Sequence, residues 1–265
     1  MKLFEYFRWT INGLEHADVP TGFLLVADSW LVKDGMSNEP LRHRDRFREA
    51  CVRIGGLNRH YIEKFWNELI TVIPTKGHWF PRAELVLCAD LPQPSLGVRV
   101  RSAPERSDRI RLDPLSWHDP RTQPRIKGPD IDILERIRKQ IKKTGSDEAV
   151  LTTDTGVVLE GLTTSIMWWE GDILCAPPLD LPILHGVTRE IVFGIAKKKG
   201  VRQKCLAKPL AAVLECPIWA VNALHGIRAV SEIAYNPPHP LQIHPLTDEW
   251  RCIYEANQTP FVVSR

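Results

Sequence analysis

The sequence predicts an α+β fold in two parts, and three observations support this prediction. Short apolar runs typical of strands alternate with amphipathic helices along the chain. A stretch rich in proline and polar residues separates the two parts, between residues 114 and 129. The 265 residues, 43% of them hydrophobic, can bury a substantial core without disulfides or metals. We therefore predict an N-terminal α+β domain over residues 1–120 and a C-terminal α/β domain over residues 121–265.

The first part is predicted to combine strands with two helices. The predicted strands lie at residues 22–32, 83–89 and 96–100. One helix is expected from about residue 43 to 54, because Gly55 ends its apolar stripe. A second helix is expected from about residue 59 to 72, where Pro74 prevents its extension.

The second part is predicted to begin with a helix from Ile131 to Ile141. Asp130 is the expected N-cap, and Gly145 is the expected stop after the helix. Short strands with turns at residues 154–156 and 170–172 follow. A further helix is expected from near Thr188 to the run of three lysines before residue 200, and a strand at residues 218–221.

Composition argues against several classes of function. The formal net charge of +3 is too small to indicate a nucleic-acid-binding surface. The six cysteines form no Cys-x-x-Cys pair, so no metal site is expected. No signal peptide is recognisable at the start, and no apolar run approaches the ~20 residues of a membrane span. We therefore expect a cytoplasmic protein outside the membrane.

Lys127 is a candidate catalytic lysine. It lies in Arg-Ile-Lys-Gly-Pro-Asp, between the proline-rich stretch and a predicted helix start, where a side chain can point into a cleft. A lysine that forms a Schiff base must lose its proton near neutral pH, which burial or neighbouring cations promote. Alone, the residue is weak evidence, because most lysines are solvated.

Two further pieces carry chemistry. Glu160 follows Val158 and Leu159 between strand-like segments, where a carboxylate can keep a pyridine nitrogen protonated. The tetrapeptide Gly-Val-Thr-Arg at residues 186–189 starts a predicted helix, whose free N–H groups and dipole form an anion site. Taken singly, an exposed strand glutamate and an ordinary capped helix are the better explanations of these pieces.

In this order, the pieces resemble the class IV aminotransferases, pyridoxal phosphate enzymes that include branched-chain and D-amino acid aminotransferases and 4-amino-4-deoxychorismate lyase. Residues 145–169 are similar to the strand region that carries the family's acidic residue. Residues 186–189 are similar to its Gly-(Ile/Val)-Thr-Arg motif. Residues 41–47 resemble its His-x-x-Arg-Leu helix, and residues 221–227 resemble the loop that completes its phosphate cup.

The resemblance implies a two-domain fold like that of D-amino acid aminotransferase, with pyridoxal 5′-phosphate as cofactor. It implies amino acid and 2-oxo acid substrates and a homodimer. Lys127 would form the internal aldimine and move a proton, and Glu160 would pair with the pyridine nitrogen. The other cofactor-binding residues that the resemblance implies are Arg46, Gly186, Val187, Thr188, Asn222 and Ala223.

The chain departs from the family on the substrate side. Ile131 and Asp132 stand where an aromatic residue or an arginine is usual, and Ser165 replaces a common asparagine. Residues 26–31 lack the glycine, phenylalanine and arginine of the family's Gly-x-Phe-Glu-Thr-x-Arg segment. The cofactor site is therefore better supported by the resemblance than the identity of the substrate.

Three functions remain open at this stage. An aminotransferase is the leading hypothesis, and 4-amino-4-deoxychorismate lyase, which forms p-aminobenzoate and pyruvate, is the alternative. A pyridoxal phosphate-binding protein with little turnover is the third. Four residues could either meet a substrate carboxylate or be structural: Arg121, Arg125, His225 and Arg228.

Overall fold

The computed structural model describes residues 4–88, 91, 93–115 and 118–261. In chain order the strands of this part are β1 Phe4–Thr10, β2 Gly13–His16, β3 Gly22–Ser29, β4 Val32–Lys33, β5 Met36–Ser37, β6 His78–Trp79, β7 Arg82–Cys88, β8 Ser95–Arg101, β9 Arg109–Pro114, β10 Glu148–Thr152, β11 Val158–Gly161, β12 Ser165–Glu170, β13 Ile173–Ala176, β14 Arg202–Cys205, β15 Ile218–Asn222, β16 Gly226–Ile233, β17 His239–Pro240 and β18 Thr259–Pro260.

The α-helices are α1 Pro40–Gly55, α2 Arg59–Leu69, α3 Ile131–Lys142, α4 Val187–Lys198, α5 Leu210–Val213 and α6 Thr247–Ala256. A 3₁₀ turn at Ile70–Val72 extends α2. Two sequence-based expectations are thus close to the structure, since both helices of the first part form where they are predicted. No helix in the described part of the chain is both long enough and apolar enough to span a membrane.

The first compact unit comprises residues 1–105, 126–129 and 258–265. Its main sheet is antiparallel in the order β2-β1-β8-β7-β3, and a second sheet follows the order β18-β5-β4-β6. Its apolar core includes Trp30, Phe47 and Phe65, which are completely buried. Ile126 packs against this core, which attaches the segment around Lys127 to the first unit.

The second unit comprises residues 106–125 and 130–257. Its sheet follows the order β11-β10-β9-β16-β15-β12-β13-β14, with β17 on β16. The sheet is mixed, because β9 pairs in parallel with both β10 and β16, whereas β12, β15 and β16 pair antiparallel. Buried residues of α4 and α6 pack with β12 and β15 residues in one apolar cluster.

The compact units are discontinuous in sequence, unlike the predicted domains 1–120 and 121–265. Arg106–Arg125 belongs to the second unit, and Ile126–Pro129 belongs to the first. The predicted division stays a prediction about folding domains. The chain therefore passes from the second unit to the first at Ile126 and returns to the second unit at Asp130.

Asp130 stands at the N-cap position of α3, as expected, but its carboxylate does not cap the helix. Oδ1 accepts hydrogen bonds from the backbone N–H and the hydroxyl of Thr122, and Oδ2 accepts one from the N–H of Gln123. The carboxylate therefore fixes the preceding loop, because these nearby donors occupy both of its oxygens.

Candidate active site

Lys127 lies beside β3 within the first unit. Its carbonyl accepts a hydrogen bond from the N–H of Ala27 at 2.7 Å. Gly128 has a φ of +146°, and a Cβ there would lie 2.8 Å from the Cα of Val26. A side chain at residue 128 would therefore strain the backbone and push it away from β3. The glycine lets the chain approach closely enough to fix the backbone of Lys127.

A buried carboxylate adjoins this contact. Asp28, next to Ala27 on β3, is completely buried. It accepts hydrogen bonds from Nδ1 of His43 at 2.7 Å and from Nε and Nη2 of Arg46 at 2.8 and 2.9 Å. Burial raises the pKa of Asp28, but the charge of Arg46 and the hydrogen bonds from Arg46 and His43 outweigh this effect, so the pKa lies below its usual value. Asp28 is therefore ionised near neutral pH.

His43 connects this carboxylate electrostatically to Lys127. Burial lowers the pKa of His43, Asp28 raises it, and Arg46 and Lys127 lower it further, with a net decrease. The imidazole is accordingly neutral, and its hydrogen bond to an ionised carboxylate requires the proton on Nδ1. Arg46 and Lys127, two of the predicted site residues, thus belong to one electrostatic neighbourhood in the first unit.

Glu160 is the central acidic residue of the second unit. It lies on β11 and is 6% exposed. Its Oε1 accepts hydrogen bonds from Nη1 of Arg121 and from the N–H of Leu184, the latter at 2.9 Å. Among the residues that the structure describes, no donor contacts Oε2. Burial raises the pKa of Glu160 to about 7, although Arg121 and the Leu184 N–H act to lower it.

The first residue of α4, Val187, lies three positions after Leu184. Gly186 is the N-cap, and no side chain caps the helix. The first N–H groups of a helix have no partner within it and attract anions. A Cβ on Gly186 would overlap the hydroxyl of Ser165. Thr164, which precedes Ser165 in the chain, is 3% exposed, and its hydroxyl has no hydrogen-bond partner among the described residues.

Asn222 holds a tight turn after β15. Its Oδ1 accepts hydrogen bonds from the N–H groups of Leu224 and His225, and its Nδ2 donates to the carbonyl of Thr163 at 3.3 Å. The half-buried Ala223 lies within this turn. The side chain of Asn222 is therefore already engaged in the chain, and its role as a phosphate ligand stays a prediction.

The structure gives other hydrogen-bond partners to three of the four residues that could meet a substrate carboxylate. Arg121 contacts Asp119, Glu160 and the carbonyl of Pro182. Arg125 donates to the carbonyls of Asp180 and Leu181.

His225 and Arg228 lie beyond the Asn222 turn. Nδ1 of His225 accepts from the N–H of Ser107, and its carbonyl accepts from Arg106. Burial and nearby arginines lower the pKa of His225 to about 3, so the ring is neutral. Arg228 is 2% exposed, and its Nε and Nη2 have no hydrogen-bond partners.

The predicted residues thus divide between the units. Arg46 and Lys127 are in the first, and Glu160, Gly186, Val187, Thr188, Asn222 and Ala223 are in the second. Sequence reasoning missed the roles of two partners. Asp28 was noted only as part of a divergent segment, and Arg121 only as a possible substrate ligand. A hydrogen bond between residues 39 positions apart leaves no local signal in one sequence.

Comparison with known proteins identifies the family. The family model for amino-transferase class IV matches residues 25–233. The chain belongs to the class IV aminotransferase family. This match confirms the resemblance to the class IV aminotransferases that the sequence motifs indicate. The family consists of pyridoxal phosphate enzymes, so membership also confirms the predicted enzyme class and cofactor at the level of the family. Among the described residues, no group of three or more potential metal ligands is present.

Two curated relatives represent both reactions considered above. A Methanocaldococcus jannaschii protein assigned as a branched-chain-amino-acid aminotransferase is 31% identical over 122 residues, or 44% of this chain and 38% of the relative. An aminodeoxychorismate lyase from Bacillus subtilis is 32% identical over 96 residues, or 35% of this chain and 33% of the relative. The matched segments therefore span only about a third of each relative's length.

Solved class IV structures share the fold. A hypothetical aminotransferase from Mycobacterium tuberculosis in its PLP-bound form has a TM-score of 0.79 and 18% identity, covering 95% of this chain and 98% of that chain. A branched-chain aminotransferase from Thermoproteus uzoniensis with norvaline has a TM-score of 0.79 and 18% identity, covering 97% and 99%. These likenesses confirm the predicted D-amino acid aminotransferase-like α+β fold.

Proposed function

We propose that this chain is a pyridoxal phosphate-dependent aminotransferase that moves an amino group between an amino acid and a 2-oxo acid. The observation that carries the proposal is the geometry of Glu160. This residue is buried, and the hydrogen bonds that it accepts go to only one of its two oxygens. One of these bonds comes from the N–H of Leu184, which shortly precedes the start of α4. When bound, the cofactor supplies an electron sink for the bond broken at the substrate α-carbon.

Lys127 is assigned two tasks. Its Nζ would hold the cofactor covalently, and its amine would then take the proton from the substrate α-carbon. Its backbone is fixed to β3 by the hydrogen bond from Ala27, which favours a constant starting point for the side chain. Fixed geometry matters because proton transfer requires the reacting atoms to be correctly oriented.

The cofactor phosphate is assigned to Arg46 and to the start of α4. The N–H groups of Val187 and Thr188 and the Thr188 hydroxyl are donors of the kind that a phosphate needs, and Arg46 supplies a guanidinium. Gly186 gives the backbone close access, since it has no side chain. Asn222 and Ala223 are assigned to the same phosphate through their turn.

The described residues fit this cofactor on three counts. Oε2 of Glu160 is open to a protonated ring nitrogen. The buried hydroxyl of Thr164 has no partner within the chain. The start of α4, which no side chain caps, offers free N–H groups to a phosphate. An unpartnered buried hydroxyl is unfavourable unless a ligand or water completes it, so these features favour a polar ligand at the start of α4.

A second candidate function is 4-amino-4-deoxychorismate lyase. The similarity to the Bacillus subtilis lyase and the sequence Asn222-Ala223-Leu224 favour it. Ile131, at a position where the resemblance leads one to expect an aromatic residue or an arginine, argues against it. Both reactions require the same cofactor residues, so the substrate decides between them.

A spectroscopic titration tests the proposal. The purified protein with pyridoxal phosphate should show the visible absorbance band of the lysine-bound cofactor, and Lys127→Ala should abolish it. Lys142→Ala, on the α3 helix, is the matched control and should retain the band. Amino acids should then convert the band to that of the amino form of the cofactor.

Each alternative predicts a different result in the same titration. Turnover of aminodeoxychorismate alone, without conversion by amino acids, supports the lyase. A stable band that neither substrate class changes supports a binding protein with little turnover. A wild-type protein that takes up no cofactor would contradict all three functions.

We also propose that the protein is a cytoplasmic homodimer, because the resemblance implies a dimer and because the six cysteines are free thiols, as is usual in the cytosol. Light scattering coupled to size-exclusion chromatography should give twice the chain mass of 30.2 kDa. A single-chain mass at all concentrations would contradict the homodimer. Cell fractionation checks the location, and recovery in the membrane fraction would contradict it.

A further inference from the structure

Glu160 is held by an arginine that is itself held by a second carboxylate. Arg121 donates from Nε and Nη2 to Asp119, at 2.9 and 2.6 Å, and from Nη1 to Oε1 of Glu160. The side chain of Arg121 is 4% exposed, and that of Glu160 is 8% exposed. These three residues form a chain of charges in the order carboxylate, guanidinium, carboxylate, and Asp119 at its outer end is the most exposed, with 17% of its side chain accessible.

The hydrogen bonds to Glu160 are asymmetric. Both donors, Arg121 and the N–H of Leu184, bind Oε1, so Oε2 is the oxygen available to a ligand. The charged groups that face Glu160 are Arg121 and Asp119 from the segment before α3 and Arg189 from α4. Arg121 hydrogen bonds to Glu160, whereas Arg189 donates from Nη2 to the carbonyl of Pro177.

A buried carboxyl group without a cation tends to be protonated, because burial penalises the charged form. A protonated carboxyl cannot stabilise a protonated ring nitrogen, whereas a carboxylate can. The Asp119 charge adds to the tendency toward protonation, so the effect of Arg121 decides the state of Glu160.

We propose that Arg121 is a positioning residue that favours the ionised form of Glu160 and directs Oε2 alone toward the cofactor ring nitrogen. This inference rests on the proposed function, which assigns Glu160 to that nitrogen. It adds a residue outside the cofactor-binding set, and it gives Arg121 a role other than substrate binding.

Arg125 provides a matched control. Both arginines bind carbonyls of the same loop, since Arg121 donates to Pro182 and Arg125 donates to Asp180 and Leu181. Arg125 makes no contact with Glu160. Both Arg121→Met and Arg125→Met remove hydrogen bonds to the loop at residues 180–182, so any effect of losing those bonds should occur in both variants. A decrease in Glu160 ionisation should occur only in Arg121→Met.

The first measurement uses the cofactor-free protein. The infrared carboxylic-acid band, assigned to Glu160 by its loss in Glu160→Gln, should increase at pH 7 in Arg121→Met and stay at the wild-type level in Arg125→Met. Arg121→Lys should restore ionisation, because it keeps the charge. If Arg121→Met does not fold, Arg121→Gln replaces it, because glutamine can still hydrogen bond Oε1 without a charge.

The second measurement uses the cofactor-loaded enzyme. Arg121→Met should lower kcat about 10- to 100-fold with a smaller change in KM, because ring protonation matters most in the transition state. Arg125→Met should change kcat less than about threefold. An unchanged carboxyl band together with equal loss in both variants would show a structural clamp and overturn the proposal. The infrared result stands even if the wild-type protein proves to have no aminotransferase activity.

Discussion

Asp28 in the first unit and Glu160 in the second are buried carboxylates beside an arginine, and they differ in how their oxygens accept hydrogen bonds. In the first unit, both oxygens of Asp28 accept hydrogen bonds, from Arg46 and His43. In the second, both donors to Glu160 bind one oxygen. The pKa of Asp28 is lowered and that of Glu160 is raised to about 7, although both are buried.

The difference shows that burial alone does not set the role of an acidic residue. Asp28 is saturated, so it is suited to hold Arg46 and His43 in place. Glu160 has an open oxygen and a pKa near neutrality, so it is suited to exchange interactions with a ligand. The following experiments test this difference between Asp28 and Glu160.

The largest effect on stability is expected at Asp28. Asp28→Asn removes the charge that Arg46 and His43 share, and we expect it to lower the free energy of unfolding by about 3–5 kcal/mol, as for broken buried ion pairs. Glu160→Gln should change it by less than about 1 kcal/mol at pH 7, because that group is only partly ionised. Urea unfolding of the cofactor-free proteins measures both. Equal losses in the two variants would contradict the comparison.

The turnover rate is expected to depend strongly on Glu160, although the stability of the protein depends on it little. Glu160→Gln should lower kcat about 100-fold, because a neutral amide does not stabilise a protonated ring nitrogen. Steady-state kinetics with the best amino donor measures the effect. Glu84→Gln is the control, since Glu84 is also a buried carboxylate with arginine partners, and it should leave kcat nearly unchanged. A fully active Glu160→Gln enzyme would remove Glu160 from the site.

Gly128 should be more sensitive than a glycine with space around it. Gly128→Ala should cost about 3 kcal/mol, because it combines an unfavourable φ with overlap against β3. Gly156→Ala, with a φ of +79° and no neighbour within 4 Å, should cost about 1 kcal/mol. Thermal unfolding compares the two. Similar costs would mean that the backbone beside Lys127 can move away from β3.

The smallest expected effect is a pH dependence at Glu160. The pKa of this group is raised in the folded protein, so its contribution to stability is present at low pH and is lost as pH rises from 4.5 to about 7. Glutamine does not titrate. Glu160→Gln should therefore gain about 2 kcal/mol relative to wild type between pH 5 and 7.5. Denaturant unfolding at several pH values measures this gain, and a constant difference would contradict the raised pKa.

Local patterns predicted local structure well in this chain. The apolar stripe from Ile131 predicted α3, and Gly-Val-Thr-Arg predicted the start of α4 within one residue. The central strand β9 was not predicted, because its pairing partners β10 and β16 lie far along the sequence. Its short apolar alternation also lies between arginines, which weakens the pattern.

The hydrogen bonds between residues far apart in the sequence could not be predicted either. The family resemblance selected Lys127 and Glu160, but no sequence pattern indicates that Arg121 binds Glu160 or that Asp28 binds Arg46. The engagement of the Asn222 side chain within its own turn also required coordinates. These interactions depend on which loops the fold brings together, and a single sequence has no record of that.

The central claim is that Lys127 carries the cofactor. Borohydride reduction of the loaded protein, followed by peptide mass mapping, tests it directly, because reduction makes the lysine–cofactor bond permanent. The account predicts that the added mass of a phosphopyridoxyl group lies on Lys127 and on no other lysine. A label on a different lysine, or no stable label in a protein that binds the cofactor, would contradict it.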